Sequence, residues 1–267
     1  VRRTSSILLA IPVVLLAACE AADLDLEPVF VSGKAVAPSD DSLLAIVPPD
    51  SPGVMLYDRR TGTRETLGED VLNSPAHLQW VNGRLYVSDV VDGRPKIVVL
   101  SVTGEVEQQI DLGPMAAAAH QFAVLPNGEI VIETTDDRLV ALGKDSTRTF
   151  ALTAASQRTG FLVAARGGVL HAVPDRSITL YNGLGKIRWR IDWPWEESAF
   201  VADLAVDSHG RPMVLAGNEG TEGFVVFGLD PITGEISRWT EGPTSTFSVR
   251  RYGEILPDSV SHWLGPN

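Results

Sequence analysis

From residue 28 onward, apolar side chains fall into short runs broken at regular intervals by turn residues. The pattern is clearest over residues 76–113. Ala76-His77-Leu78-Gln79-Trp80-Val81 leads into Asn82-Gly83, and Leu85-Tyr86-Val87-Ser88 follows. Lys96-Ile97-Val98-Val99-Leu100 then leads through Thr103-Gly104 to Glu105-Val106-Glu107-Gln108-Gln109-Ile110. Aliphatic and β-branched residues on both sides of tight turns favour strands. Asn-Gly supplies the positive φ angles that a two-residue hairpin demands. The unit is thus four strands, with a tight turn after the first, a loop after the second and a glycine turn after the third. No helical periodicity is sustained after residue 19.

The unit recurs. Its first turn falls at Asp40-Asp41, Asn82-Gly83, Asn127-Gly128, Gly167-Gly168, His209-Gly210 and Pro257-Asp258, at intervals of 42, 45, 40, 42 and 48 residues. The second turn falls at Thr61-Gly62, Thr103-Gly104, Leu184-Gly185 and Thr233-Gly234, with Lys144-Asp145 in the unit between. Four strands repeated at a period in the low forties predict an all-β fold, a β-propeller. One four-stranded sheet cannot cover its own apolar faces; blades packed around an axis cover each other's. Two β-sandwich domains are the competing arrangement, but a sandwich need not repeat its turn chemistry at a fixed interval. Six first turns predict six blades. The last is incomplete, because only Ser259 to Leu264 can form a strand after Pro257-Asp258. The segment near Leu24 to Pro28 could supply a missing outer strand. Five blades with a C-terminal extension is the other way to count.

Particular stretches resemble known propeller families. Ser74-Pro75 through Leu100-Ser101, with Gly83-Arg84-Leu85-Tyr86-Val87-Ser88-Asp89 at its centre, is similar to an NHL-type repeat. Leu229-Asp230-Pro231-Ile232-Thr233-Gly234-Glu235-Ile236-Ser237-Arg238-Trp239 resembles the quinoprotein-type repeat of outer-membrane assembly lipoproteins. The stretch from Leu180 to Trp189 is a weaker copy. These resemblances imply blade architecture over residues 28–267 and leave function open.

The N-terminus predicts an address. Arg2-Arg3 precedes an apolar run from Ile7 that closes on Leu16-Ala17-Ala18-Cys19. The run is too short to span a bilayer, which takes about 20 residues. It resembles a bacterial lipoprotein signal whose lipobox is Leu16, Ala17 and Ala18. That resemblance implies cleavage before Cys19, the chain's only cysteine, and lipidation of its thiol. Glu20, where Asp would favour inner-membrane retention, implies an outer-membrane protein facing the periplasm. The organisation expected is a signal peptide over 1–18, an acylated acidic tether over 19–28 and the propeller over 29–267.

Charge narrows the partners. Without residues 1–18 the chain carries 20 basic and 34 acidic side chains, a formal charge of −14. Nucleic acid rewards Lys and Arg and is excluded as a partner. A lone cysteine leaves no intramolecular disulfide and no cysteine-based zinc or iron–sulfur site.

In a propeller, the blade-to-blade connections crowd one face together with the loops between second and third strands. Those loops carry Asp89, Asp92, Glu133, Asp136, Asp137, Asp175, Glu219 and Glu222; the connections carry His120, Trp193, Trp195, Glu196 and Glu197. An acidic face suited to a cation or a basic partner is expected. Asp192-Trp193-Pro194-Trp195 is the candidate contact patch, because exposed indoles are costly in water and enriched at binding hot spots. Burial of both rings over the blade edge is the alternative. Neither a G-x-S-x-G elbow nor an H-E-x-x-H pair is present. The five histidines lie far apart in sequence and read as ordinary hydrogen-bonded or surface residues.

The function expected is non-catalytic: a membrane-anchored protein-binding or scaffolding module for an envelope protein, without cofactor. One enzymatic alternative has residues behind it. Glu27-Pro28-Val29-Phe30 with Tyr57-Asp58-Arg59-Arg60-Thr61-Gly62 resembles the first blade of gluconolactonase-type lactonases. The resemblance implies a divalent metal such as Ca²⁺ on the axis, with Glu27 as a ligand. Val47-Pro48-Pro49 stands where a further Asp is expected. A propeller that binds a small ligand without converting it is a third reading.

Overall fold

The computed structural model describes residues 35–238 apart from 39–42, 49–50, 59, 114–120, 145, 154–159, 166, 174–175, 194–198, 207–210 and 219–223. Five four-stranded antiparallel sheets follow one another along them. The first contains β1 (Ala35–Pro38), β2 (Leu43–Val47), β3 (Val54–Asp58) and β4 (Arg64–Leu67). The second contains β5 (His77–Val81), β6 (Arg84–Val91), β7 (Arg94–Leu100) and β8 (Val106–Asp111). The third contains β9 (Phe122–Val124), β10 (Ile130–Glu133), β11 (Arg138–Leu142) and β12 (Thr147–Leu152). The fourth contains β13 (Phe161–Ala165), β14 (Gly168–Val173), β15 (Ser177–Asn182) and β16 (Ile187–Asp192). The fifth contains β17 (Ala199–Val206), β18 (Pro212–Asn218), β19 (Phe224–Leu229) and β20 (Ile236–Arg238). First strands of successive sheets touch, β1 with β5, β5 with β9, β9 with β13 and β13 with β17. The sheets are therefore propeller blades, with the first strand of each innermost.

The propeller expectation holds, and the six-blade expectation is corrected to five. The sixth blade rested on Pro257-Asp258, which lies outside the described residues. The first blade takes all four strands from residues 35–67, and the segment near Leu24 to Pro28, expected to lend the sixth blade an outer strand, lies outside the described residues. The fifth is complete at β20.

The core lies between blades. Ala45, Val47, Val54 and Leu67 of the first blade meet Leu78, Leu85, Val87, Val98 and Leu100 of the second. Tyr86, Ile97 and Val99 point the other way, onto Phe122, Val124, Ile130 and Ile132 of the third. Alternate residues of β6 and β7 thus serve different neighbours. This is why the middle strands read as unbroken apolar runs: both of their faces are buried. Similar layers join the third blade to the fourth and the fourth to the fifth. Trp189 on the outer strand β16 reaches the fifth blade, and its Nε1 donates to the Pro231 carbonyl at 3.2 Å.

A polar clasp joins the third and fourth blades. Arg148 Nε donates to Glu129 Oε1 at 2.9 Å, and its Nη2 donates to Glu129 Oε2 at 2.7 Å and to the Gly183 carbonyl at 3.1 Å. The guanidinium also lies 5.3 Å from the centre of the Phe150 ring. The Arg148 hydrogen bonds, helped by Asn127, lower the Glu129 pKa to about 2. A carboxylate depressed on folding stabilises the native state above its unfolded pKa; that contribution fades as pH falls through the folded value. Glu129→Gln is expected to cost roughly 1–2 kcal/mol at neutral pH. The gap from wild type should narrow as urea unfolding is repeated toward about pH 3. A gap independent of pH would show that the ionised pair contributes nothing.

Candidate functional site

Each first strand runs toward a tight turn and each second strand runs back. The ends of the second strands, the loops to the third strands and the blade-to-blade connections therefore share one end of the propeller, the connection face. The tight turns and glycine turns share the opposite end, the turn face.

On the connection face two acids are turned inward. Asp89 lies in β6, not in a loop, and is 1% exposed. Its Oδ1 accepts from the Ser74 amide at 2.6 Å and its Oδ2 from the Asn73 amide at 3.0 Å. Beside it, Asn73 Nδ2 donates to the Val90 carbonyl at 3.0 Å, and the His77 amide donates to Ser88 Oγ at 2.9 Å. The end of β6 is thus a receptor for the connection from the first blade. Glu133, at the end of β10, is also buried. Its Oε2 accepts from the Gly160 amide at 2.7 Å, fixing the entry into the fourth blade. Its Oε1 lies 3.5 Å from Nε2 of the buried His171 on β14. Tyr181 on β15 belongs to the same layer, and burial pushes its hydroxyl pKa up.

Among the described residues the remaining charge on this face is mixed, where an acidic face was expected. Asp92 is exposed in the turn between β6 and β7, and Arg94 follows two residues later. Asp136 stands between β10 and β11, and Arg138 Nη2 lies 2.6 Å from its Oδ2. That guanidinium and the Thr134 hydroxyl hold the Asp136 carboxyl below its ordinary range. Arg176 opens the third strand of the fourth blade in the same way. At the outer edge, Gly93, Arg94, Pro95, Asp111 and Gly113 line an open depression.

Trp193 is half-buried, packed against the core between the fourth and fifth blades, and its amide donates to the Arg176 carbonyl at 3.1 Å. His120, Asp175, Trp195, Glu196, Glu197, Glu219, Glu222, Glu27, Cys19, Leu16, Ala17 and Ala18 lie outside the described residues. Of the expected contact residues, the structure therefore brings Asp92 to the surface and turns Asp89 into the interior. The Glu133–His171 pair was not singled out from sequence. The available signal was Ile130-Val131-Ile132 running straight into Glu133, which marks an acid continuing a buried strand.

The metal of the lactonase resemblance finds no cradle among the described residues. No group of three or more His, Cys, Asp or Glu there is placed to hold an ion. The Asp89 and Glu133 oxygens are instead engaged by backbone amides. Among the described residues no helix is long and apolar enough to cross a membrane.

No family model matches the chain, and no curated protein does. Solved structures do. Virginiamycin B lyase from Staphylococcus aureus superposes with a TM-score of 0.58 at 14% identity, over 77% of this chain and 68% of that one. A Bacteroides thetaiotaomicron protein of unknown function gives 0.61 at 12%, over 88% and 64%. A gluconolactonase from Xanthomonas campestris gives 0.50 at 15%, over 68% of each. At such identities likeness carries the fold and not the chemistry. Together with the five sheets arranged around their first strands, it makes this chain a β-propeller protein.

Proposed function

We propose that this chain is a binding or scaffolding propeller, held at the outer membrane by acylation of Cys19, whose connection face takes an envelope protein in the periplasm. The observation that supports this reading is the pair of inward acids. Asp89 holds the first-to-second blade connection at Asn73 and Ser74, and Glu133 holds Gly160 at the entry to the fourth blade, so the backbone of this face is fixed at those points. Rigid loops on a stable scaffold are the common form of a binding surface. The acyl anchor adds affinity by concentrating the propeller near membrane partners.

The test is co-purification from cross-linked envelopes, with stoichiometry by mass spectrometry. Trp193→Ala is a poor diagnostic, because half of that ring belongs to the core between the fourth and fifth blades. Asp92→Lys and Trp195→Ala are expected to reduce a stoichiometric partner several-fold while thermal unfolding stays unchanged. Cys19→Ala should release the chain from the membrane fraction. A partner-free native protein would overturn the scaffold reading.

A second reading, a lactonase- or lyase-like enzyme, draws support from the fold shared with those enzymes. It requires acids from outside the described residues, Glu27 among them. Turnover of simple lactones that is abolished by a chelator and restored by Ca²⁺ would establish it over the scaffold.

A further inference from the structure

We infer that the turn face of the propeller is a membrane-contacting surface, which lies on an anionic phospholipid bilayer and leaves the connection face free. Six large apolar side chains are exposed among the described residues: Val102, Val106, Leu152, Leu184, Ile187 and Ile232. Val102, Leu184 and Ile232 sit in the glycine turns between third and fourth strands, on the turn face, and Val106 and Ile187 open the fourth strands just after them; Leu152 alone is at the other end. Ile232 is 81% exposed and Leu184 73%. Single exposed apolar residues are ordinary, but here they recur at one structural position of the repeat. Val102 and Ile232 each precede Thr-Gly, and Leu184 precedes Gly185 at the same point.

In the other two blades the equivalent tips are cationic, with Arg60 in the first and Lys144 in the third, and Lys186 joins Leu184 in the fourth. All three are exposed. The turns between third and fourth strands also hold three acids among the described residues, Glu105 in the second blade and Asp230 and Glu235 in the fifth. Asp230 is committed to its own turn, its Oδ1 accepting from the Ile232 and Thr233 amides at 2.8 and 2.7 Å. Apolar tips alternating with Arg and Lys suit the acyl–headgroup boundary, where aliphatic groups enter and cations meet phosphate. A bilayer is also a flat occupant, which tips on blades around one axis can reach together.

Chain reach allows this orientation. β1 starts on the connection face, and fifteen residues, 20–34, separate it from Cys19. Extended, they span about 50 Å, against about 27 Å for an eight-residue strand. In the cell the inference rests on the proposed anchoring. The experiment does not: the full chain carries Cys19→Ala and an N-terminal hexahistidine tag, and nickel-chelating lipid holds it on phosphatidylethanolamine–phosphatidylglycerol vesicles. Leu184→Cys, Ile232→Cys and Leu152→Cys variants are each labelled with an environment-sensitive fluorophore.

Labels at 184 and 232 are expected to shift to the blue and be quenched by nitroxide lipids, while the label at 152 keeps its aqueous emission. Leu184→Glu with Ile232→Glu should abolish the shift of a label placed by Val102→Cys. Aqueous emission at all positions, or a shift at 152 alone, overturns the inference. So does a shift in the absence of vesicles, which would assign the face to a second copy of the chain. The tag holds the chain whatever the state of Cys19, so failure of the anchor and failure of this surface are read separately.

Discussion

Gly185→Ala is expected to cost about 3–5 kcal/mol, a large part of a domain's stability, whereas Gly83→Ala should cost only about 1–2 kcal/mol. Both glycines close tight turns with positive φ, +80° and +74°. A Cβ on Gly83 meets nothing within 4 Å, so its cost is backbone strain alone. A Cβ on Gly185 would stand 1.7 Å from the carbonyl oxygen of Phe150 and 2.6 Å from its carbonyl carbon. These are backbone atoms of β12, the outer strand of the preceding blade, and they cannot rotate away. The same seat recurs with softer neighbours. Gly104 lies on the Leu67 side chain of the first blade and Gly234 on the Trp189 ring of the fourth. Gly234→Ala should therefore fall between the two, because an indole can shift where a peptide cannot. Urea unfolding of the three variants measures the series. Equal losses for Gly185→Ala and Gly83→Ala would refute the close approach between blades.

Those seats show what the sequence could and could not reveal. Thr103-Gly104, Leu184-Gly185 and Thr233-Gly234 are visible as recurring turns, because positive φ leaves a residue signature. That each glycine is also the point where one blade touches the last is a contact between residues about 40 positions apart, and it leaves no local trace. The turn-side ends of the second blade's strands were legible nearly to the residue, since Asn82-Gly83 and Thr103-Gly104 bracket them, but β6 runs on to Val91 and β7 starts at Arg94, past the expected Ser88 and Lys96. Blade number was not. Pro257-Asp258 keeps roughly the right interval but lacks the glycine of Asn82-Gly83, Asn127-Gly128, Gly167-Gly168 and His209-Gly210, and Asp40-Asp41, which also lacks it, belongs to a complete blade's pair of strands. Acids misled in a consistent way. Asp89 ends Leu85-Tyr86-Val87-Ser88 and Glu133 ends Ile130-Val131-Ile132, so each belongs to an apolar strand as much as to the loop beyond it. Polarity assigned both to the surface; backbone amides arriving from the connections keep them inside.

Asp89→Ala should produce the second large effect, a loss of about 2–4 kcal/mol, and should bear directly on the binding reading. Removal of the carboxylate, itself 1% exposed, strands two amide donors, on Asn73 and Ser74, at a part-buried site. Asp89→Asn should rescue little. Its oxygen can accept from one amide, but its NH₂ then faces the other, donor against donor. The damage should be local. Hydrogen exchange at Asn73 and Ser74 should rise steeply, while amides paired between β6 and β7 stay protected. Normal exchange at those two positions would refute the bracket. If exchange rises as expected, the same variant also separates two meanings of rigidity. A partner that binds the presented connection must then order it at the moment of binding, and its affinity falls even though the propeller remains folded. A partner held elsewhere on the connection face, at Asp92 or in the stretch containing Trp195, would bind Asp89→Ala as tightly as wild type. Loss of binding without unfolding would therefore place the first-to-second blade connection in the contact surface, and unchanged binding would move that surface away from it, to Asp92 or the stretch containing Trp195.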